Sequence, residues 1–65
     1  MQLVINGEMK EVAAKTVADL LQELSLDPKK IVTECNGEII PRDQYQTRML
    51  QPADKLELVQ FVGGG

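Results

Sequence analysis

The chain is small and acidic, and these two properties exclude several classes of function. Its 65 residues suffice for one domain, and a domain of this size buries only about 60% of the surface that its unfolded chain exposes. The apolar side chains are therefore needed for stability, which leaves little room for a deep catalytic pocket. A net charge of -3 argues against a nucleic-acid backbone as the main partner. We expect a carrier or binding module and not an enzyme.

The composition also bears on location and on metal binding. No apolar stretch reaches the roughly 18 residues needed to cross a bilayer, and no basic region with an apolar run opens the chain. The chain has no histidine and a single cysteine, Cys35, so the usual ligands of a zinc site are missing and no internal disulfide forms. We expect a cytoplasmic protein without a bound metal or cofactor.

A β-hairpin is predicted at the start of the chain. Residues 3–5 are apolar, and Asn6-Gly7 follows them with a pair that tolerates positive φ at both centres of a type I′ turn. The return strand is expected over residues 8–13, where the apolar period is too weak to determine the register.

A helix is predicted next, beginning at Thr16. Its hydroxyl can cap the helix, and Asp19 stands where the Glu or Gln of a capping box is usual. Asp27-Pro28 is expected to end the helix. One apolar stripe over two turns would pack against a sheet; it consists of Val17, Leu20, Leu21 and Leu24.

The second half of the chain predicts three more strands. Residues 31–35 alternate loosely, and Asn36-Gly37 supplies a second hairpin turn into residues 38–40. The strongest strand pattern covers residues 55–62, after a turn at 52–54. Between them, residues 42–50 are expected to form a loop with one short helical turn. Three of its side chains are expected under the edge of the sheet: Tyr45, Met49 and Leu50.

This order of elements predicts an α+β fold of the β-grasp, or ubiquitin-like, type. One main helix would pack on one face of a mixed sheet of four or five strands. The first and last strands can lie parallel as central neighbours, because the long connection between them permits a crossover. We expect a domain over residues 1–62 and a flexible glycine tail over residues 63–65.

The tail is the most informative feature of the sequence. The strongest strand leads directly into Gly63, Gly64 and Gly65, whose last residue carries a carboxylate. Glycines lack Cβ, so the tail is narrow enough to enter a partner's active site, and four residues beyond Phe61 reach up to about 13 Å. Attack of the Gly65 carboxylate on ATP would give an acyl-adenylate, in which sulfur can then replace AMP. A partner would supply the Mg²⁺ and the positioning.

These features together resemble the ThiS family of sulfur carriers from thiamine biosynthesis. The resemblance covers the whole chain. Its most specific parts are the Asn-Gly-Glu-Ile-Ile-Pro-Arg segment at residues 36–42 and the Val-Gly-Gly-Gly end. It implies that Gly65 is adenylated by a ThiF-type activating enzyme, becomes a thiocarboxylate, and delivers sulfur to a thiazole synthase of the ThiG type. Gly64 matches the penultimate glycine of ubiquitin-like tails, and the free protein is expected to be a monomer.

Three alternatives remain open at this point. A molybdopterin-synthase small subunit has a similar fold, tail and activation chemistry, although it is usually longer. A non-covalent β-grasp interaction module would leave the tail inert. A protein modifier would form isopeptide bonds, since amines also attack an acyl-adenylate.

The sequence also suggests a partner-binding surface. If Leu56 and Leu58 point to the helix, Val59 and Phe61 point the other way. Val4, on the neighbouring first strand, is expected to join them beside the tail, and Val62 continues the strand. Cys35 is in phase with the side chains expected to meet the helix, so it is interpreted as a core residue and not as a redox site.

Overall fold

The computed structural model describes residues 1–61, which form a five-stranded mixed sheet with one α-helix. The elements in chain order are β1 (Gln2–Ile5), β2 (Glu8–Glu11), α1 (Val17–Glu23), β3 (Ile31–Cys35), β4 (Glu38–Ile40) and β5 (Lys55–Gln60), with short 3₁₀ turns at Pro28–Lys30 and Arg42–Gln44. The strand order is β2-β1-β5-β3-β4. The predicted β-grasp fold is confirmed.

The last strand lies at the centre of the sheet. β5 runs parallel to β1, with Val4 opposite Lys55, and antiparallel to β3, with Ile31 opposite Gln60. β1 ends at Ile5, which pairs with Leu56, so the second half of β5 extends beyond it. Both hairpins of the sheet therefore join through β5.

Both predicted hairpin turns have the expected backbone. In the first turn Asn6 and Gly7 have φ values of 50° and 82°, and in the second Asn36 and Gly37 have values of 54° and 83°. Positive φ at both centres is the mark of a type I′ turn, whose twist matches that of the strands it joins. The two Asn-Gly pairs thus account for both hairpins.

The helix begins as predicted. Thr16 is its N-cap, and its hydroxyl accepts a hydrogen bond from the Asp19 backbone at 3.1 Å. The Asp19 carboxylate accepts one from the Thr16 backbone at 3.3 Å in return. Asp therefore completes the capping box in place of the usual Glu or Gln.

The helix ends earlier than predicted. α1 stops at Glu23 because Ser25 adopts a left-handed conformation, with φ of 59°. The Leu26 N–H bonds back to the Leu21 carbonyl at 2.8 Å, the pattern of a Schellman end. Asp27-Pro28, expected to end the helix, instead begins the first 3₁₀ turn, where the Asp27 carboxylate accepts from the Lys29 N–H at 2.9 Å.

The core lies between α1 and one face of the sheet. Alternate residues of β1, β3 and β5 point into it, as the period of two requires. Among the loop residues predicted to be buried, Tyr45 and Leu50 are buried, whereas Met49 is 54% exposed. Met49 forms an isolated bridge with Thr16, and in such an extended segment neighbouring side chains point to opposite sides, so Met49 faces away from the side that buries Leu50. The core residues are Leu3, Ile5, Val12, Ala14, Val17, Leu20, Leu21, Ile31, Cys35, Ile40, Tyr45, Leu50, Leu56 and Leu58.

Two further observations concern residues 1–61. No helix in this range has the length and apolar character that a membrane span requires. Within the same residues, the acidic side chains and Cys35 do not gather into a group that could hold a metal ion.

Candidate functional site

The candidate site is the end of β5, from which the glycine tail continues. Four predicted site residues, Val62, Gly63, Gly64 and Gly65, lie outside the described residues. The structure does describe Phe61, the residue to which they are attached. The Phe61 N–H donates to the Lys30 carbonyl at 3.1 Å, which extends the pairing of β5 with the β3 side by one residue.

The face of the sheet that turns away from α1 is open, and it carries apolar side chains close to the end of β5. Val59 is 52% and Val32 37% exposed, and the two are direct cross-strand partners. Phe61 continues the alternation of β5 and is 38% exposed. We name Val32, Val59 and Phe61 the apolar patch. Contiguous exposed apolar side chains of this kind mark interaction sites.

Val4 does not belong to the apolar patch. It lies on the open face, because its neighbours Leu3 and Ile5 are buried, but its partner on β5 is Lys55. At a rise of about 3.3 Å per residue, Lys55 lies roughly 13 Å along the strand from Val59. The expected position of Val4 beside the tail is therefore wrong.

The apolar patch includes a residue that the sequence reasoning missed. Val32 alternates with buried Ile31 and Thr33, so the phase of β3 alone places it on the open face. Its position next to Val59 depends on the register between β3 and β5, which no local sequence signal sets.

An acidic pair adjoins the apolar patch. Glu34 and Glu57 are direct partners across β3 and β5, two residues along their strands from Val32 and Val59. Like charges directly opposite each other destabilise a sheet. The patch and the acidic pair together form a surface, here named the docking face, that suits a partner with apolar and cationic side chains.

Cys35 lies on the other face of the sheet, inside the core. Its side chain is 1% exposed, and burial, followed by the nearby Asp54 carboxylate, raises the pKa of its thiol. The Asn36 amide nitrogen is 3.8 Å from its sulfur. The interpretation of Cys35 as a core residue is confirmed.

Cys35 is therefore expected to react slowly with thiol reagents. The thiolate is the reactive form, and both burial and the raised pKa make it scarce. Alkylation by iodoacetamide at pH 8 should be at least about tenfold slower in the native protein than in urea. Mass spectrometry at timed intervals measures this difference, and equal rates in both conditions would contradict the buried position.

Comparison with known proteins identifies the family to which this arrangement belongs. The model of the ThiS family matches residues 3–65. The chain belongs to the ThiS family. It is 42% identical to the sulfur carrier protein ThiS of Bacillus subtilis, over 97% of this chain and 98% of that protein.

Two other similarities extend this result. The crystal structure of the thiamine biosynthesis protein ThiS from Geobacter metallireducens is 30% identical and covers both chains fully, with a TM-score of 0.84. A thiazole synthase of Paramagnetospirillum magneticum is 47% identical over all of this chain. The chain spans 20% of the length of that synthase, so a ThiS-like segment forms a part of a larger protein there.

Proposed function

We propose that this ThiS-family protein carries sulfur for thiazole formation in thiamine biosynthesis, as a thiocarboxylate on Gly65. The observation that carries the proposal is the match to a sulfur carrier protein over 97% of this chain and 98% of that protein. The fold supports it, because β5 is central and paired up to Phe61. The tail therefore starts from a well-supported base next to an exposed docking face.

The chemistry needs only the carboxylate of this chain. A Gly65 oxygen attacks the α-phosphorus of ATP, a new P–O bond forms, and pyrophosphate leaves. A hydrosulfide equivalent then attacks the carbonyl carbon of the acyl-adenylate, a C–S bond forms, and the C–O bond to AMP breaks, so that AMP leaves with the oxygen and the electron pair of that bond. The products are the thiocarboxylate, AMP and a proton. A ThiF-type adenylating enzyme would supply Mg²⁺ and the cationic groups that stabilise the phosphate charge.

The docking face is the surface through which we expect partners to bind. The sequence predicts partner contacts for Val59, Phe61 and Val62. We add Val32 to these contact residues because it lies beside Val59. The proposed partners are the ThiF-type enzyme and a thiazole synthase of the ThiG type. The second is supported by the thiazole synthases that contain a segment similar to this chain.

We also propose that the free protein is a cytoplasmic monomer. Its stability does not depend on a disulfide, since the one cysteine in the sequence is buried in the core. A protein of this kind is suited to a reducing compartment.

The test is the intact mass of the protein after incubation with ATP, Mg²⁺, a ThiF-type enzyme and a sulfur source. The full chain should gain about 16 Da, the difference between oxygen and sulfur. A variant that lacks only Gly65 should gain nothing. The matched control is Cys35→Ser, which should gain the same mass as the original chain.

Other outcomes would point to the alternatives. An unchanged mass of the full chain, with an activating enzyme shown to work on another carrier, would favour a non-covalent interaction module. A mass gain that disappears in Cys35→Ser would place the sulfur on the thiol. Conjugates of high molecular weight would indicate a protein modifier.

A further inference from the structure

The asparagine of the first hairpin turn bonds to β5 close to its end. Because β1 ends at Ile5, Leu58 has no residue of β1 beside it. The Asn6 side chain takes that place: its Oδ1 accepts from the Leu58 N–H at 2.8 Å, and its Nδ2 donates to the Leu58 carbonyl at 3.3 Å. The Asn6 carboxamide thus extends the hydrogen bonding between β1 and β5 by one step beyond the end of β1.

A second polar contact supports β5 from its other side. One residue beyond β5, the Phe61 N–H donates to the Lys30 carbonyl at 3.1 Å, and Lys30 belongs to the first 3₁₀ turn. The Arg42 guanidinium donates to two carbonyls of this turn, from Nε to Pro28 at 3.0 Å and from Nη2 to Lys29 at 3.1 Å. Arg42 therefore supports the turn that presents the acceptor for Phe61.

We propose that Asn6 and Arg42 are positioning residues: from opposite sides they hold the end of β5, to which the tail is attached, and so help to place the Gly65 carboxylate. This inference rests on the proposed function. The tail carries the reacting carboxylate about 13 Å from Phe61 when extended. Looser hydrogen bonding at Leu58 or Phe61 would widen the range of positions from which the carboxylate must be brought to the phosphate, and displacements of about 1 Å can cost up to a hundredfold in rate.

Neither side chain belongs to the core or to the docking face. Both residues are exposed. Asn6 bonds directly to the backbone of β5, whereas Arg42 bonds to backbone carbonyls of the 3₁₀ turn that accepts from Phe61. Loss of either contact should therefore leave partner binding intact while the carboxylate becomes less well placed. The predicted signature is a fall in kcat with little change in KM.

The chain offers a matched control at its second Asn-Gly turn. Asn36 also bonds to β5, with its Oδ1 accepting from the Lys55 N–H at 3.0 Å, but this contact lies at the start of the strand. Glycine at either position keeps the positive φ of the turn and deletes the carboxamide. Asn6→Gly thus releases the far end of β5, whereas Asn36→Gly releases its start, together with a bond from the Asn36 Nδ2 to the Asp54 carboxylate at 3.0 Å.

The experiment measures adenylation by a ThiF-type enzyme for the original chain, Asn6→Gly, Arg42→Lys and Asn36→Gly. Lysine keeps the charge of Arg42 but lacks its forked set of donors. We expect kcat to fall about 5- to 20-fold in Asn6→Gly and Arg42→Lys, with KM within about threefold. Asn36→Gly should stay within about twofold in both constants.

Amide hydrogen exchange provides a readout without the enzyme. Exchange should quicken at Leu58 in Asn6→Gly and at Phe61 in Arg42→Lys, beyond any change in global stability. If Asn6→Gly fails to fold, Asn6→Asp keeps the acceptor for the Leu58 N–H but sets a carboxylate oxygen against the Leu58 carbonyl in place of the donor. It should then also lower kcat, with KM within about threefold.

The outcomes separate this inference from the proposed function. An original chain that is not adenylated by a working enzyme would overturn both. Normal kcat in the folded variants, or an equal fall in Asn36→Gly, would overturn the positioning role alone. A rise in KM at constant kcat would also overturn it, because it would make Asn6 and Arg42 binding residues.

Discussion

Replacement of Leu20 by alanine is expected to bring the domain close to unfolding. The side chain is fully buried between α1 and the sheet, and Leu→Ala changes at such sites cost about 2–5 kcal/mol, because a cavity remains. A domain of 65 residues has a free energy of unfolding of about 3–10 kcal/mol. Alanine is the best helix former, so the loss comes from packing and not from the helix itself.

Urea unfolding followed by circular dichroism measures this effect. The control is Leu24→Ala, on the same apolar stripe but only half-buried, which should lose no more than about half as much. A larger loss in Leu24→Ala than in Leu20→Ala would contradict the described packing of the helix.

Replacement of Val59 by lysine is expected to weaken binding of the activating enzyme strongly. Val59 lies in the middle of the apolar patch and is 52% exposed, so the substitution should cost no more than about 1 kcal/mol in stability. A charge at the centre of an apolar contact should lower kcat/KM about 10- to 100-fold, mainly through KM. Steady-state kinetics of adenylation measure both constants.

Met9→Lys is the matched control for Val59→Lys. Met9 is 63% exposed and faces the same side of the sheet as its partner Val4, away from the tail. The kcat/KM of Met9→Lys in adenylation should stay within about threefold of that of the original chain. Equal losses in the two variants would extend the docking face across the whole sheet and would return Val4 to it.

The parts of the fold that local chemistry determines could be predicted from the sequence. Each Asn-Gly pair specifies a turn with positive φ, and Thr16 with Asp19 specifies a helix start. Leu56 and Leu58 are buried on alternate positions of β5, as their pattern predicts. In each case the residues that carry the signal also make the contacts that stabilise the element.

Other parts depend on contacts between distant residues, and there the sequence was insufficient. Ser25 takes the left-handed position at the helix end, where glycine or asparagine is the usual signal. Met49 is exposed because its segment is extended beside Thr16 and turns Leu50 inward instead. Neither effect has a signature in the neighbouring residues.

The candidate site shows the same limit. The glycine run at residues 63–65 is evident in the sequence and its role as a tail stays a prediction, whereas the docking face depends on strand register. Register separates Val4 from Val59 and brings Val32 beside it. The contact between Asn6 and Leu58 joins residues 52 positions apart, and no pattern in one sequence connects them.

The central position of β5 has a consequence for how the protein is made. Synthesis yields both hairpins and the helix before the strand that unites them, because β1 and β3 meet only through β5 in the described sheet. A chain that stops before β5 leaves two separate hairpins, and isolated hairpins are marginal in water. Folding of this domain therefore waits for the translation of β5, and products truncated before β5 should be removed by proteases.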